Sequence, residues 1–374
     1  MAKVYKILKN CIVKVFTLLF LIKNYGSKKA YIKHKLEKVL ISETTPKEKW
    51  GELLKPIVEY AYSIMPPRLF RYRDCSERQF DAFYSDSIYA VNAQMFNDPY
   101  DCLIRYNKDY LLNAINQGSS FDAIKKLRDD LNNGGHLPEM WNSLFGKEKY
   151  KIIEDIICNA SDEFLDKRKS IFESNKKEIF NNIDTVFKQA ENFLRRNTFI
   201  ACFSETVKSI TMWSHYADSH KGFVLEYDFK HLNRKCDTCD NKDSCCDKVS
   251  YNLFPIIYDS KRYDGTSFVE SYLGKRLGLY AKINDIMFYT KISLHKSPQW
   301  QYEKEWRMFL SRDNAMEQSS LHINIKPVAI YYGCGISSIN KKILSEMAKE
   351  KDLKEYQMYI DTQSDKYSMK YRKI

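Results

Sequence analysis

From Trp300 to Leu310 the chain reads Trp-Gln-Tyr-Glu-Lys-Glu-Trp-Arg-Met-Phe-Leu, with bulky and charged positions alternating. As a strand with a period of two, it sets Tyr302, Lys304, Trp306 and Met308 on one side. Glu303, Glu305 and Arg307 line the other, so two carboxylates and a guanidinium share a face beside a core. A half-buried strand with a solvated or salt-bridged face gives the same pattern, so the row alone leaves structure and chemistry both open.

The pattern elsewhere alternates between helix and strand periods. Residues 1–65 carry helical spacing, broken at Thr44-Thr45-Pro46 and stopped by Pro66-Pro67. Short strands are predicted at 68–73, where Arg71 and Arg73 face the same way, and at 85–91, 198–204, 222–228 and 323–333. Helices are predicted at 210–218, 267–288 and 338–349. Asn97-Asp98-Pro99 reads as a structured turn. Over 107–196, polar segments with apolar residues at helical spacing form a helical insertion between two halves of a sheet. The expected fold is an α+β domain at 66–350 with a central, mostly antiparallel sheet. It is preceded by a basic helical segment, 1–65, and followed by a basic tail, 351–374.

Composition sharpens this. With 29% charged residues but 14% aromatic, the chain has the packing material of an ordered protein. A net charge of +12 favours an acidic partner: nucleic acid, a nucleotide phosphate or an anionic membrane. The apolar run 11–22, after Lys3, Lys6 and Lys9, is shorter than the roughly 20 residues that span a bilayer. No small-x-small cleavage site follows it, so residues 1–25 are expected as a basic amphipathic helix. That helix would pack on the body or touch a membrane surface peripherally. The cysteines are mostly scattered singly, which points to a reducing, cytoplasmic setting. Cys236, Cys239, Cys245 and Cys246 cluster, with Cys-x-x-Cys followed by Cys-Cys. Their spacing predicts a structural zinc site in a loop at 231–248, with His231 as a further candidate ligand.

Three constellations bear on chemistry. Ser214 and His215 are helical neighbours about 100° apart, which does not make a nucleophile and its base. Asp98, Asp101, Glu303 and Glu305 supply carboxylates for a metal-dependent nuclease, though no lysine stands two positions after either glutamate. The third has the order arginine, serine, Glu-x-Glu, and each part suits the transfer of ADP-ribose from NAD. Arg71 or Arg73 would pair with the diphosphate, and Ser204 would orient the catalytic acid. Glu305 would hold the ribose and stabilise the oxocarbenium charge, and Glu303 would accept the acceptor's proton. Tyr216 and His215 would sit against nicotinamide.

The blocks Phe70-Arg-Tyr-Arg73, Phe96-Asn-Asp-Pro-Tyr-Asp101, Cys202-Phe-Ser-Glu205, Met212-Trp-Ser-His-Tyr-Ala-Asp218, His220-Lys-Gly222, Trp300-x-x-Glu303-x-Glu305-Trp-Arg307 and Ile330-Tyr-Tyr-Gly-Cys-Gly335 resemble a bacterial domain-of-unknown-function family, number 2971. Together they cover roughly 67–350. The resemblance brings no assigned activity; it implies a setting in bacterial mobile and defence islands, hence phage defence or toxin action. The arginine, serine, Glu-x-Glu order is similar to that of arginine-type ADP-ribosyltransferases, with Phe203-Ser204-Glu205 in place of their Ser-Thr-Ser. The leading expectation is an ADP-ribosyltransferase-like enzyme that uses NAD and modifies nucleic acid or a protein. A nucleic-acid-processing metalloenzyme and a non-catalytic interaction module are the alternatives.

Overall fold

The computed structural model describes residues 28–42, 44–118, 121–137, 147–167, 184–185, 187–188, 191–192, 194–232, 253–277, 285–310 and 320–374. Its strands are β1 (Leu69–Arg73), β2 (Ser87–Asn92), β3 (Phe199–Ser204), β4 (Phe223–Tyr227), β5 (Leu253–Pro255), β6 (Ile257–Tyr258), β7 (His295–Lys296), β8 (Glu305–Leu310), β9 (Ser320–Asn324), β10 (Ala329–Tyr332), β11 (Lys354–Ile360) and β12 (Met369–Lys373). Ten of them form one sheet in the order β12-β11-β10-β4-β1-β3-β2-β9, with β8 paired to β3 and to β5. All its pairs are antiparallel except β10 with β11. The fold is α+β with a mostly antiparallel sheet, as the pattern predicted.

Register decides which side chains meet. Phe70 lies opposite Ser204, Ser204 opposite Glu305, and Cys202 opposite Arg307. Partners across a ladder share a face, so Phe70, Tyr72, Cys202, Ser204, Glu305 and Arg307 stand together. The alternate residues Leu69, Phe203, Trp306 and Met308 enter the main core with Phe223, Leu225, Ile330 and Leu344. Burying each of the larger ones stabilises the fold by roughly 1.5–3 kcal/mol. On the other face two smaller cores form. One gathers Ile104, Ile200, Val269 and Phe288; the other gathers Met212, Trp213, Val224 and Tyr331.

The helices are α1 (Lys28–Lys38), α2 (Lys47–Ile64), α3 (Glu77–Tyr84), α4 (Lys108–Gly118), α5 (Phe121–Asn132), α6 (Lys147–Cys158), α7 (Ile210–Tyr216), α8 (Thr266–Leu277), α9 (Phe288–Ile292) and α10 (Ser338–Glu350). α1 and α2 pack through Ile32, Leu36, Ile57 and Ala61 onto Phe254, Ile256 and Leu294. α4, α5 and α6 belong to the expected helical insertion.

Outside the stretch 298–304, the structure departs from the sequence pattern in two strand regions. The stretch 351–374, expected as a basic tail, supplies β11 and β12; Tyr356 and Met358 alternate inward there and outweigh the charge around them. The single strand expected at 323–333 is two, β9 and β10, on opposite sides of the sheet. Pro327 lies between them and has no N–H for a ladder. Residues 1–27 and Cys236, Cys239, Cys245 and Cys246 lie outside the described residues. Among the described residues no helix is long and apolar enough to cross a membrane.

Candidate functional site

Glu303 and Glu305 reach one side by a route that simple alternation does not give. Ser297 caps the Gln299 N–H and Pro298 opens a 3-10 helix, Pro298–Glu303. Lys304 ends it in the left-handed region, at φ 47°, and Glu305 begins β8. The Ser204 hydroxyl donates to the Glu303 carbonyl at 2.7 Å, and the Glu205 N–H donates to the Lys304 carbonyl at 3.1 Å. These bonds hold the end of the helix over β3. The Glu305 N–H donates to the Tyr258 hydroxyl at 2.8 Å.

The side chains then form a continuous network. Arg307 is 0% exposed; its Nε donates to Glu305 at 2.7 Å and its Nη1 to Asp101 at 2.8 Å and to the Ser293 carbonyl at 2.6 Å. Lys296 Nζ donates to Glu303 at 2.6 Å and to Glu305 at 3.0 Å, and lies 3.7 Å from Asp101. Tyr216 donates to the other oxygen of Glu303 at 2.6 Å and accepts from Asn97 at 3.2 Å. Three carboxylates thus face two cations. Beside them is a cavity of about 420 Å³ that is also lined by Phe70, Tyr72, Met95, Phe96 and Met212.

Burial and charge push the two glutamates apart. Burial favours the neutral form of Glu305, but Arg307 and then Lys296 outweigh it and hold the carboxyl well below the usual carboxylate range. Burial and the adjoining Glu305 charge raise Glu303 above its ordinary value, against the pull of Lys296 and Tyr216. Burial opposes charge on Lys296, yet the carboxylates, led by Glu305, raise its pKa. Burial and then Glu303 lift Tyr216 far above the ordinary phenol range, so it stays a hydroxyl donor. The Cys102 thiol, pushed up to about 12 mainly by burial, is unreactive.

Glu303, Glu305, Ser204, Tyr216, His215, Arg71 and Arg73 all border this cavity. They are not equally aimed at it. Arg71 and Arg73 alternate with Phe70 and Tyr72, so the register directs them to the opposite face from Glu305. The Arg71 guanidinium donates to the Tyr89 carbonyl and lies 5.5 Å from the Phe203 ring centre. Its Nη1 has no hydrogen-bond partner among the described residues. Arg73 donates to the Tyr72 carbonyl at 2.8 Å. His215 is exposed and faces Tyr302, ring centres 6.2 Å apart. Ser204 binds the Glu303 backbone rather than a carboxylate.

Asp98 stays outside the network and accepts the Tyr100 N–H at 2.9 Å, as turn chemistry suggests. Among the described residues, no group of three or more His, Cys, Asp or Glu side chains is placed to hold a metal ion. Sequence reasoning gave no role to Lys296 or Tyr258, and weighed Asn97 only as a turn residue and Asp101 only as a metal ligand. One signal was available for Lys296, an isolated lysine directly ahead of the Ser297-Pro298 helix start. Nothing comparable singles out Tyr258.

A family model described as "Protein of unknown function (DUF2971)" matches residues 212–308. The matched stretch runs from α7 into β8 and holds Tyr216, Lys296, Glu303, Glu305 and Arg307. The resemblance read from the sequence blocks therefore holds over this stretch. No curated protein and no solved structure matches the chain.

Proposed function

We propose that the cavity is the active site of an ADP-ribosyltransferase-like enzyme that uses NAD. The observation that carries this reading is the pair Glu303 and Glu305, carboxyls bridged by Lys296 at 2.6 and 3.0 Å in the lining of a partly aromatic cavity, their proton affinities driven in opposite directions. In this reading the bond between the ribose and nicotinamide breaks, and its electron pair leaves with nicotinamide. Glu305, held anionic, stabilises the positive charge that develops on the ribose. The acceptor's nucleophilic atom forms the new bond, and its proton passes to Glu303, whose raised affinity suits a base.

Tyr216 keeps Glu303 oriented, and Phe70, Tyr72 and Phe96 offer flat faces to nicotinamide. Arg73 also lines an adjoining cavity of about 670 Å³ with Gln79 and Asn340, and in this reading it would turn from the Tyr72 carbonyl to pair with the diphosphate. The acceptor is nucleic acid or a protein, in a cytoplasmic phage-defence or toxin setting. A second reading, metal-assisted processing of nucleic acid, draws on the meeting of Asp101, Glu303 and Glu305 at Lys296, and it requires these carboxylates to rearrange, since they are not placed to hold a metal ion as they stand.

Incubation with labelled NAD tests both. Nicotinamide release should fall about 10²–10⁴-fold in Glu303→Gln, the range of general-base catalysis. Magnesium-dependent cleavage of nucleic acid without nicotinamide release overturns the transferase in favour of the second reading. Neither activity in the folded wild type leaves the network a structural one.

A further inference from the structure

The sheet face that carries Glu305 continues past the cavity to β12, the last strand on that side among the described residues. Register sets its members. Phe70 lies opposite Glu226, Tyr331 opposite Tyr356, Tyr356 opposite Lys373, Met358 opposite Tyr371, and Ala329 opposite Lys354. The aromatic rings form an unbroken row. Phe70 and Tyr331 have ring centres 5.8 Å apart, Tyr331 and Tyr356 stack at 4.7 Å, and Tyr371 lies 5.1 Å from Tyr331 and 5.3 Å from Tyr356. The row runs from the cavity wall to the surface, where Tyr371 is 39% exposed.

Charge follows the same line. Lys208, Lys354 and Lys373 are exposed, and Lys208 Nζ lies 5.5 Å from the Tyr371 ring centre. The carboxylate among these face members, Glu226, is buried; it accepts from the Tyr331 hydroxyl and pairs with Arg68 at 2.8 Å. The outer surface is therefore cationic and aromatic. Lysines on an edge strand also deter edge-to-edge pairing. That accounts for Lys373, but Lys354 is on the second strand and Lys208 comes from the segment before α7. What unites the three is the aromatic face.

We propose that this face binds single-stranded nucleic acid, with phosphates on Lys208, Lys354 and Lys373 and bases against Tyr356 and Tyr371. A cationic track beside aromatic rings matches an unpaired strand, whose bases stack and whose phosphates follow the charge. From Lys354 to the Met358↔Tyr371 register is four residues of β11, roughly 13 Å at about 3.3 Å each, which is room for a short unpaired stretch. The surface does not depend on NAD being the donor, so its test is separate from that reading.

The test is fluorescence anisotropy with the full chain and a short labelled oligothymidylate, over a series of salt concentrations. A matching RNA strand is run in parallel. In the triple variant Lys208→Gln, Lys354→Gln, Lys373→Gln, affinity at low salt should drop about tenfold or more, and the slope of log affinity against log salt should shrink by about 2. Because these side chains are exposed, its melting temperature should match the wild type. Tyr371→Leu should weaken binding of the oligonucleotide severalfold while leaving an abasic strand unaffected. The proposal is overturned if the wild type binds neither strand at low salt, or if the triple variant keeps both affinity and slope. Binding of phosphatidylserine vesicles without binding of either strand also overturns it, and assigns the face to a membrane surface.

Discussion

Two buried clusters of charge among the described residues differ in kind. In the first, Lys291 donates to Asp285 and to the Val39 carbonyl, and Asp285 accepts the N–H groups of Ile41 and Met287 at 3.3 and 3.1 Å. One cation meets one carboxylate, the remaining contacts are to backbone, and the result fastens residues 39–41 to the start of α9. In the second, Lys296 and Arg307 are shared among Asp101, Glu303 and Glu305, beside a cavity. Negative charge is left over there, and burial with the adjoining Glu305 charge raises the proton affinity of Glu303. A closed pair fastens structure; a surplus beside open space is what chemistry requires.

The comparison is broken most forcefully at Arg307. Arg307→Met leaves Asp101 and Glu305 without their guanidinium in a buried site and should cost about 3–5 kcal/mol, read from denaturant unfolding. Lys291→Met strands a single carboxylate that is nearer to solvent, so the loss should be smaller, roughly 3 kcal/mol. Nicotinamide release per folded molecule should be unchanged in that variant; a parallel fall in activity would show that the two clusters are not separable. Glu303→Gln should reverse the pattern, changing stability by less than about 1 kcal/mol while activity collapses.

The smallest effect is in pH dependence, where the two glutamates act in opposite senses. Glu305 has a depressed pKa, so its stabilisation is present above the ordinary value of 4.5 and is lost as pH falls below it. The stability advantage of wild type over Glu305→Gln should therefore shrink in acid. Glu303 has a raised pKa, so its contribution is full below 4.5 and fades as pH rises through its folded value. The wild-type advantage over Glu303→Gln should grow as pH falls from neutral toward 4.5. Parallel curves for the two variants would contradict the split between the carboxyls.

Which parts of this were legible in the sequence follows from where the information lies. The period of two in β8 correctly sent Trp306 and Met308 to the core and Glu305 and Arg307 away from it, because one buried face dictates alternation. The same period placed Arg71 and Arg73 together. It could not say which face they would take, since that depends on the register Phe70↔Ser204. Glu303 reached the site although the strand does not extend to it, through a left-handed Lys304 that no propensity singled out. Asp101 meets Arg307 from a turn 206 residues away, a pairing that local spacing cannot encode. The alternation in 354–360 was as visible as that of β8, but the surrounding lysines were read as a tail.

One register pair has a wider consequence. β1 pairs with β4 along its whole length but with β3 at a single position, Phe70↔Ser204. Neighbouring strands rotate by roughly 20–25°, and open sheets of about ten strands tend to curl or split. The cavity is lined by both strands at that joint, Phe70 to Arg73 of β1 and Cys202 to Ser204 of β3. The room for a ligand thus lies where β1 and β3 share a single register pair. Exchanging Met95, Phe96 or Met212 would alter what fits without closing the space, so the same scaffold could change its ligand while keeping its fold.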